Sequence, residues 1–220
     1  MKHLLSAAAV IISTVALPAV AHASASIDIP SNNSSIGSWG PTSGQSYGQV
    51  FTALDSVLTS YTLNVGSPNG FSYVSQIFAW NGTGVTGSAL FTSATQIITT
   101  SLADVTFNPG TALNTGSSYI ALVTNRPGGN ALGGSGYASM GTGTASSGFV
   151  FTGNAPVQGA TWACTSGCGI SAKFHADFAS AAPAVPEPAT WAMMLLGMGA
   201  VGFAMRRRNK NVTTTVAYAA

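Results

Sequence analysis

The sequence predicts an all-β protein: an antiparallel β-sandwich, jelly-roll-like, set between two apolar terminal segments. Three observations carry this. Short runs of β-branched and aromatic residues recur between turn signals from Gln49 to Phe178. No long stretch of that region keeps a helical period. Charged residues make up 5% of the 220-residue chain, against roughly 25% in an ordinary soluble domain, so solubility rests on Ser, Thr, Asn and Gly.

Ser31 to Gln49 is rich in Ser, Asn and Gly and reads as a loop-rich lead-in. Gln49 to Ala53 is the first candidate strand. Tyr61, Leu63 and Val65 then alternate with Ser60, Thr62 and Asn64, the period of a half-buried strand. Ser67-Pro68-Asn69-Gly70 is a turn, because proline fixes φ while Asn and Gly accept positive φ. Phe71 to Trp80 is apolar on both faces at its far end and reads as a central strand, closed by the Asn81-Gly82 turn. Ala89 to Thr92 and Thr95 to Thr100 are weaker strands. Val105 and Phe107 precede Asn108-Pro109-Gly110, and Tyr119 to Val123 reads as a buried strand. Arg126 to Gly148 is glycine- and serine-rich and reads as a long loop or frayed hairpin at one edge. Phe149 and Phe151 mark another strand, and Phe174, Ala176 and Phe178 the last. About 160 residues are enough to bury a real core.

The charge balance excludes some functions. The formal net charge of +2 comes from Lys2, Arg206, Arg207, Arg208 and Lys210 in the terminal segments. Between Ser24 and Ala184 only Arg126 and Lys173 oppose Asp28, Asp55, Asp104 and Asp177, a formal charge of −2. Such a body has no electrostatic footprint for nucleic acid. The sequence holds no P-loop, dinucleotide fingerprint or EF-hand spacing, so no cofactor is expected. A glycosidase needs two carboxylates at a defined separation, and the scattered aspartates favour no pair. Asp104 is expected to be exposed by alternation with Val105. His175 is the one histidine of the body, and alternation puts it opposite the phenylalanine face, toward solvent. A Ser-His-Asp triad would have to use it, but no Gly-x-Ser-x-Gly elbow is present. No catalytic residue is expected.

Cys164 and Cys168 are the two cysteines, in Cys164-Thr165-Ser166-Gly167-Cys168. In an exported chain they read as a disulfide, with Gly167 helping the chain turn back. So small a loop adds about 1–2 kcal/mol, the low end of the usual range. The alternative is a metal site of Cys164, Cys168, His175 and Asp177, whose spacing matches no tight metal pattern, so no metal is expected. Trp39, Tyr47, Tyr73, Trp80, Tyr137 and Trp162 are the aromatics a sugar could stack on. Trp39, Tyr137 and Trp162 lie in glycine- and serine-rich context and are the candidate glycan contacts.

Both ends read as addresses. Met1-Lys2-His3, the apolar Leu4 to Leu17 and Ala21-His22-Ala23 have the form of a signal peptide. Cleavage after Ala23 is expected, with Ala25 as an alternative. An uncleaved anchor is disfavoured because Leu4 to Leu17 falls short of the ~20 residues a span needs. At the other end, Pro186 and Pro188 interrupt any preceding structure. Ala189 to Met205 carries no charge over 17 residues, which as a helix is about 25 Å against a hydrocarbon core of ~30 Å. Arg206, Arg207 and Arg208 form a basic stop that favours a cytoplasmic C-terminus. The expected organisation is a signal peptide over 1–23, an ectodomain over 24–182, a sorting segment over 183–208 with a membrane helix at 189–205, and a cytoplasmic tail over 209–220.

Pro186-Glu187-Pro188-Ala189-Thr190-Trp191-Ala192, then a glycine-bearing apolar run and an arginine cluster, resembles the PEP-CTERM sorting signal in its PEPxxWA form. The resemblance covers about 25 residues. It implies that Pro186, Glu187, Pro188, Trp191 and Ala192 are read by an exosortase, a membrane processing enzyme that cuts near the motif. It further implies export through the inner membrane of a Gram-negative bacterium and release to the cell surface or extracellular polysaccharide, the apolar tail being discarded as in a GPI signal. The 12 residues Asn209 to Ala220 extend past the usual end of such tails and lie beyond the cut. The region from Tyr47-Gly48-Gln49-Val50-Phe51-Thr52 through Phe78–Gly82 to Gly116-x-x-Tyr119-x-Ala121 resembles exported bacterial β-sandwich domains of unassigned activity, over about 75 residues. The expected role is a non-catalytic surface or matrix protein. The alternatives are a carbohydrate-binding or adhesive module and, less favoured, a hydrolase.

Overall fold

The computed structural model describes residues 24–39, 46–67, 70–99, 101–133, 137–153, 156–165, 168–181, 188–208 and 217–218. The chain forms two units, 1–181 and 182–220.

The strands of the first unit are β1 (Ala25–Ile29), β2 (Ser31–Trp39), β3 (Ser46–Thr52), β4 (Val57–Gly66), β5 (Phe71–Trp80), β6 (Val85–Thr92) and β7 (Gln96–Ile98). They continue with β8 (Ala103–Phe107), β9 (Thr111–Ala112), β10 (Ser118–Thr124), β11 (Ala138–Gly143), β12 (Phe149–Thr152), β13 (Ser171–Ala172) and β14 (Phe174–Ala179). Among the described residues they form two sheets. One runs β1-β14-β4-β11-β13, with β2 on β11 and β8 and β9 on β4. The other runs β12-β3-β10-β5-β6, with β7 on β5. Strand pairing is antiparallel throughout both sheets. The expected all-β sandwich is observed.

Alternation sorts the side chains. Tyr61 and Leu63 of β4 and Phe174 and Phe178 of β14 point inward to meet Phe51, Tyr73, Ile77, Ala121 and Val123 of the facing sheet. A buried polar link crosses the inter-sheet core: Tyr61 Oη lies 2.6 Å from Ser75 Oγ, which donates to the Leu122 carbonyl at 2.9 Å. Burial pushes the Tyr61 phenol pKa up despite the bond to Ser75, and pushes that of Tyr73 to about 12.

The β5-containing sheet is buried on its outer face too. Phe78, Trp80, Ile120, Leu122 and Val150 pack there beneath Val157 and Trp162. Trp162 meets Trp80 edge-on at 5.5 Å, and Ala163 N donates to the Phe151 carbonyl at 2.8 Å. This second layer explains why Phe71 to Trp80 reads apolar on both faces.

Two stretches differ from the sequence expectation. Ser31 to Trp39 is a strand, not a loop-rich lead-in, and Arg126 to Gly148 contains β11. The two pair with each other. β2 is polar because much of it faces solvent, with Ile36 and Trp39 as its inward anchors. β11 needs its glycines. A Cβ on Gly141 would overlap the Asn64 side chain, and one on Gly143 would meet Ile29 and the Ala172 carbonyl. Glycine placed for close approach imitates the composition of a loop.

In the second unit, α1 spans Pro188–Arg208, with proline at its start, where a missing N–H costs nothing. Trp191, Leu195, Leu196, Met198, Val201 and Phe203 are exposed, so the helix is apolar all round. No helix among the described residues is long and apolar enough to cross a membrane. The helix is thus where the sequence places it, while its membrane span is taken up below as a proposal. Ala21, Ala23, Pro186 and Glu187 lie outside the described residues, as do the side chains of Pro188, Arg207 and Arg208. Arg206 is exposed.

Candidate functional site

The outward face of the β4-containing sheet gathers most of the body's charge. Register aligns Asp28 of β1 with His175 of β14, His175 with Thr62 of β4, and Thr62 with Thr106 of β8. Two residues along, Ser26, Asp177 and Ser60 form a second row; in the other direction, Asn64 faces Asp104. Because side chains alternate along a strand, all of these share one face. Asp28, Asp104, Lys173, His175 and Asp177 are five of the seven Asp, Lys, Arg and His side chains between Ser24 and Ala184.

Two polar groupings flank a hydroxyl pair. On one side His175 uses both ring nitrogens: Nε2 is 3.1 Å from Asp177 Oδ1 and Nδ1 is 3.4 Å from Asp28 Oδ1. Ser60 Oγ donates to Asp177 Oδ2 at 2.6 Å. On the other side Lys173 Nζ donates to both oxygens of Asp104, at 2.8 and 2.6 Å, and Asn64 Nδ2 donates to Oδ1 at 2.7 Å. Between them Thr62 Oγ1 and Thr106 Oγ1 lie 2.7 Å apart. The hollow enclosed measures about 330 Å³ and is lined by Asp28, Thr62, Asp104, Thr106, Lys173 and His175, among others.

Partial burial pushes the Asp104 carboxyl pKa up, but the hydrogen bonds from Lys173 and Asn64 and the Lys173 charge outweigh this and hold it below its ordinary value. A depressed carboxylate adds stability above its unfolded pKa, and that stability is lost as pH falls through the folded one. Lys173→Met is expected to move the Asp104 pKa back up, read by carboxyl-carbon NMR titration. An unchanged midpoint would contradict the pairing.

The contact order around His175 is not that of a nucleophilic triad. The Ser60 hydroxyl bonds the carboxylate rather than the imidazole, so the ring is not placed to take its proton. Asp28 and Asp177 sit at opposite ring nitrogens and do not converge on one point. Among the described residues no group of three or more His, Cys, Asp or Glu could hold a metal ion. Asp55 lies off this face and works locally, accepting from Ser56 N and from Ser180 Oγ, each at 2.7 Å.

Cys164 and Cys168 form the expected disulfide, with Cα atoms 5.0 Å apart, so they are not free to act as metal ligands. Gly167 lies outside the described residues; Cys164 itself takes the left-handed backbone, with φ 66°. Replacing both cysteines by serine is expected to cost about 1–2 kcal/mol in urea denaturation, because the closed loop is short.

The glycan-contact expectation fails for two of its three aromatics. Trp39 is buried at the end of β2 against Phe71, Tyr73 and Tyr47. Trp162 is buried over Trp80. Among their described neighbours, Ser35 and Gly37 before Trp39 and Gly159 and Thr161 before Trp162 are exposed, and each tryptophan is the inward anchor. Tyr137 is 54% exposed, as expected. Trp80 edges a second, more open hollow with Asn81, Asn114 and Tyr119. There Asn81 Oδ1 is spent on its own turn, accepting from Thr83 N, Thr83 Oγ1 and Gly84 N.

Sequence reasoning missed the assembled face and the role of Gln49. The signal for the face was present: Asp28, Thr62, Asp104, Thr106 and His175 all sit on the polar parity of their strands. What the sequence lacked was register.

No curated protein matches the chain. A solved chain described as "Structure of infectious bursal disease virus Gx strain" is 12% identical, with a TM-score of 0.32, over 90% of this chain and 55% of that one. The chain thus spans about half the length of that structure, and likeness at this level assigns neither fold nor function. Residues 184–208 match the family described as the PEP-CTERM protein-sorting motif. These are the residues of α1 and the proline-bearing approach to it, and the chain therefore carries a PEP-CTERM sorting motif at its C-terminal end.

Proposed function

We propose that the protein is an exported, non-catalytic surface or extracellular-matrix component, delivered by exosortase processing of its C-terminal segment. The observation that carries this is the sorting motif over 184–208, most of which is the all-round apolar helix α1. The motif supports an exosortase-sorted exported protein. In the proposed route residues 1–23 direct export and are removed. The 189–205 helix then holds the chain in the inner membrane, with Arg206 snorkelling to an interface to offset its short length. Cleavage near Pro186-Glu187-Pro188 frees the sandwich.

The non-catalytic part is supported by the contact order at His175, where the hydroxyl and the imidazole share a carboxylate instead of each other. Low body charge suits a protein that works in a crowded matrix without ionic partners.

The test is export in the native host of a variant with Pro186→Ala and Glu187→Ala. The variant is expected to accumulate in the inner-membrane fraction while the unaltered protein reaches the outer envelope or medium. Equal release of both would overturn the sorting reading.

A further inference from the structure

We propose that the hollow on the outward face of the β4-containing sheet binds a small, hydroxyl-rich, non-acidic sugar unit. This stands on the body alone and does not depend on how the chain is sorted.

The lining decides the chemistry. Asp28 and His175 stand on one side, Asp104 and Lys173 on the other, and the Thr62–Thr106 hydroxyl pair lies between. The lining offers carboxylate acceptors, the Lys173 ammonium and two threonine hydroxyls, which suits a ligand that both donates and accepts, as a vicinal diol does. The Asp28 carboxylate is the open acceptor: its side chain is 67% exposed and its contact to His175 is long, at 3.4 Å. Asp104, by contrast, is engaged by both Lys173 and Asn64.

Other ligand classes fit worse. Three carboxylates against one ammonium give the face a formal charge of −2 with His175 neutral, which disfavours phosphates, sulfates and uronic acids. A bare divalent cation needs converging oxygens, and Asp28 and Asp177 lie at opposite nitrogens of His175. An apolar ligand could cover Ile29 and Phe174, which also line the hollow, only by burying the charged and hydroxyl-bearing side chains beside them. A volume of about 330 Å³ is at the small end for ligand sites, which run from ~300 to ~1,000 Å³. That is the scale of one sugar ring rather than an oligomer. Phe174 lines the hollow but is itself buried, so it offers no open ring face; single-site binding is weak, and useful strength would come from a repeating polymer engaging many copies.

The experiment is amide NMR of the isotope-labelled full chain in detergent, titrated separately with mannose, glucosamine and glucuronate. Saturable shifts confined to β1, β4, β8 and β14 are expected with mannose and glucosamine, with a Kd on the order of 1–10 mM. Glucuronate should bind at least tenfold more weakly. Asp28→Asn, and separately Thr62→Val with Thr106→Val, should each weaken binding at least fivefold; these side chains are on the solvent face, so both variants should fold. The proposal is overturned by absence of saturable shifts with either non-acidic sugar, by shifts centred elsewhere, by glucuronate binding as tightly, or by binding unchanged in both folded variants.

Discussion

Trp39→Ala is expected to destabilise the sandwich by about 3–5 kcal/mol. The indole is fully buried, meets Phe71 edge-on at 4.8 Å and Tyr73 at 6.0 Å, and tilts against Tyr47 at 6.3 Å. It is also the anchor that fastens the polar strand β2 over the core, so its loss loosens an edge as well as opening a cavity. Its Nε1 has no partner among the described residues, so the expected cost is one of packing. Urea denaturation checks this, with Tyr137→Ala as the comparison. The half-exposed Tyr137 is expected to change stability by no more than about 0.5 kcal/mol. Equal effects at the two sites would contradict the placement of Trp39.

Gln49→Ala is expected to cost about 2–4 kcal/mol, mostly through polar groups left buried without partners. Gln49 Nε2 donates to the Val50 and Ser147 carbonyls at 3.1 and 3.3 Å, and Oε1 accepts from Ala172 N at 2.8 Å. One buried amide thus joins β3, the approach to β12 and β13. Gly148 makes room for it: its φ is +97°, and an added Cβ would collide with Gln49 Nε2. Gln49→Leu keeps the volume and loses the bonds, so it separates the two contributions. A stability within 0.5 kcal/mol of the parent for Gln49→Leu would show that the amide is not the linchpin described.

Gln49 also bears on the resemblance that the body's motif carries. Gly48 lies so close to β10 that a Cβ would press on Ile120 and the Ala121 carbonyl, and Gly116 turns the chain with φ +81°. The residues of that motif therefore build the sandwich.

The sequence made the strand content legible wherever one face was apolar. Tyr61, Leu63 and Val65, the two-faced run to Trp80, and Phe174, Ala176 and Phe178 all fell into strands as their periods required. It hid β2 and β11, because an edge strand facing solvent and a strand thinned to glycine for close packing both carry loop composition. The disulfide was legible from compartment and count. The aromatic anchors were misplaced because flanking Ser and Gly report the neighbours' environment and not that of the tryptophan. The charged face was illegible because it depends on which strands lie side by side, and β1, β14, β4 and β8 come from four distant parts of the chain.

The most direct test of the account is the intact mass of the protein recovered from native cells, taken separately from inner membrane, outer envelope and medium. The account predicts a released form that starts near Ser24 and ends near Pro186-Glu187-Pro188, lacking Trp191 and everything after it. A full-length C-terminus, confined to the inner membrane, would make α1 a permanent anchor and contradict the proposed delivery to the surface.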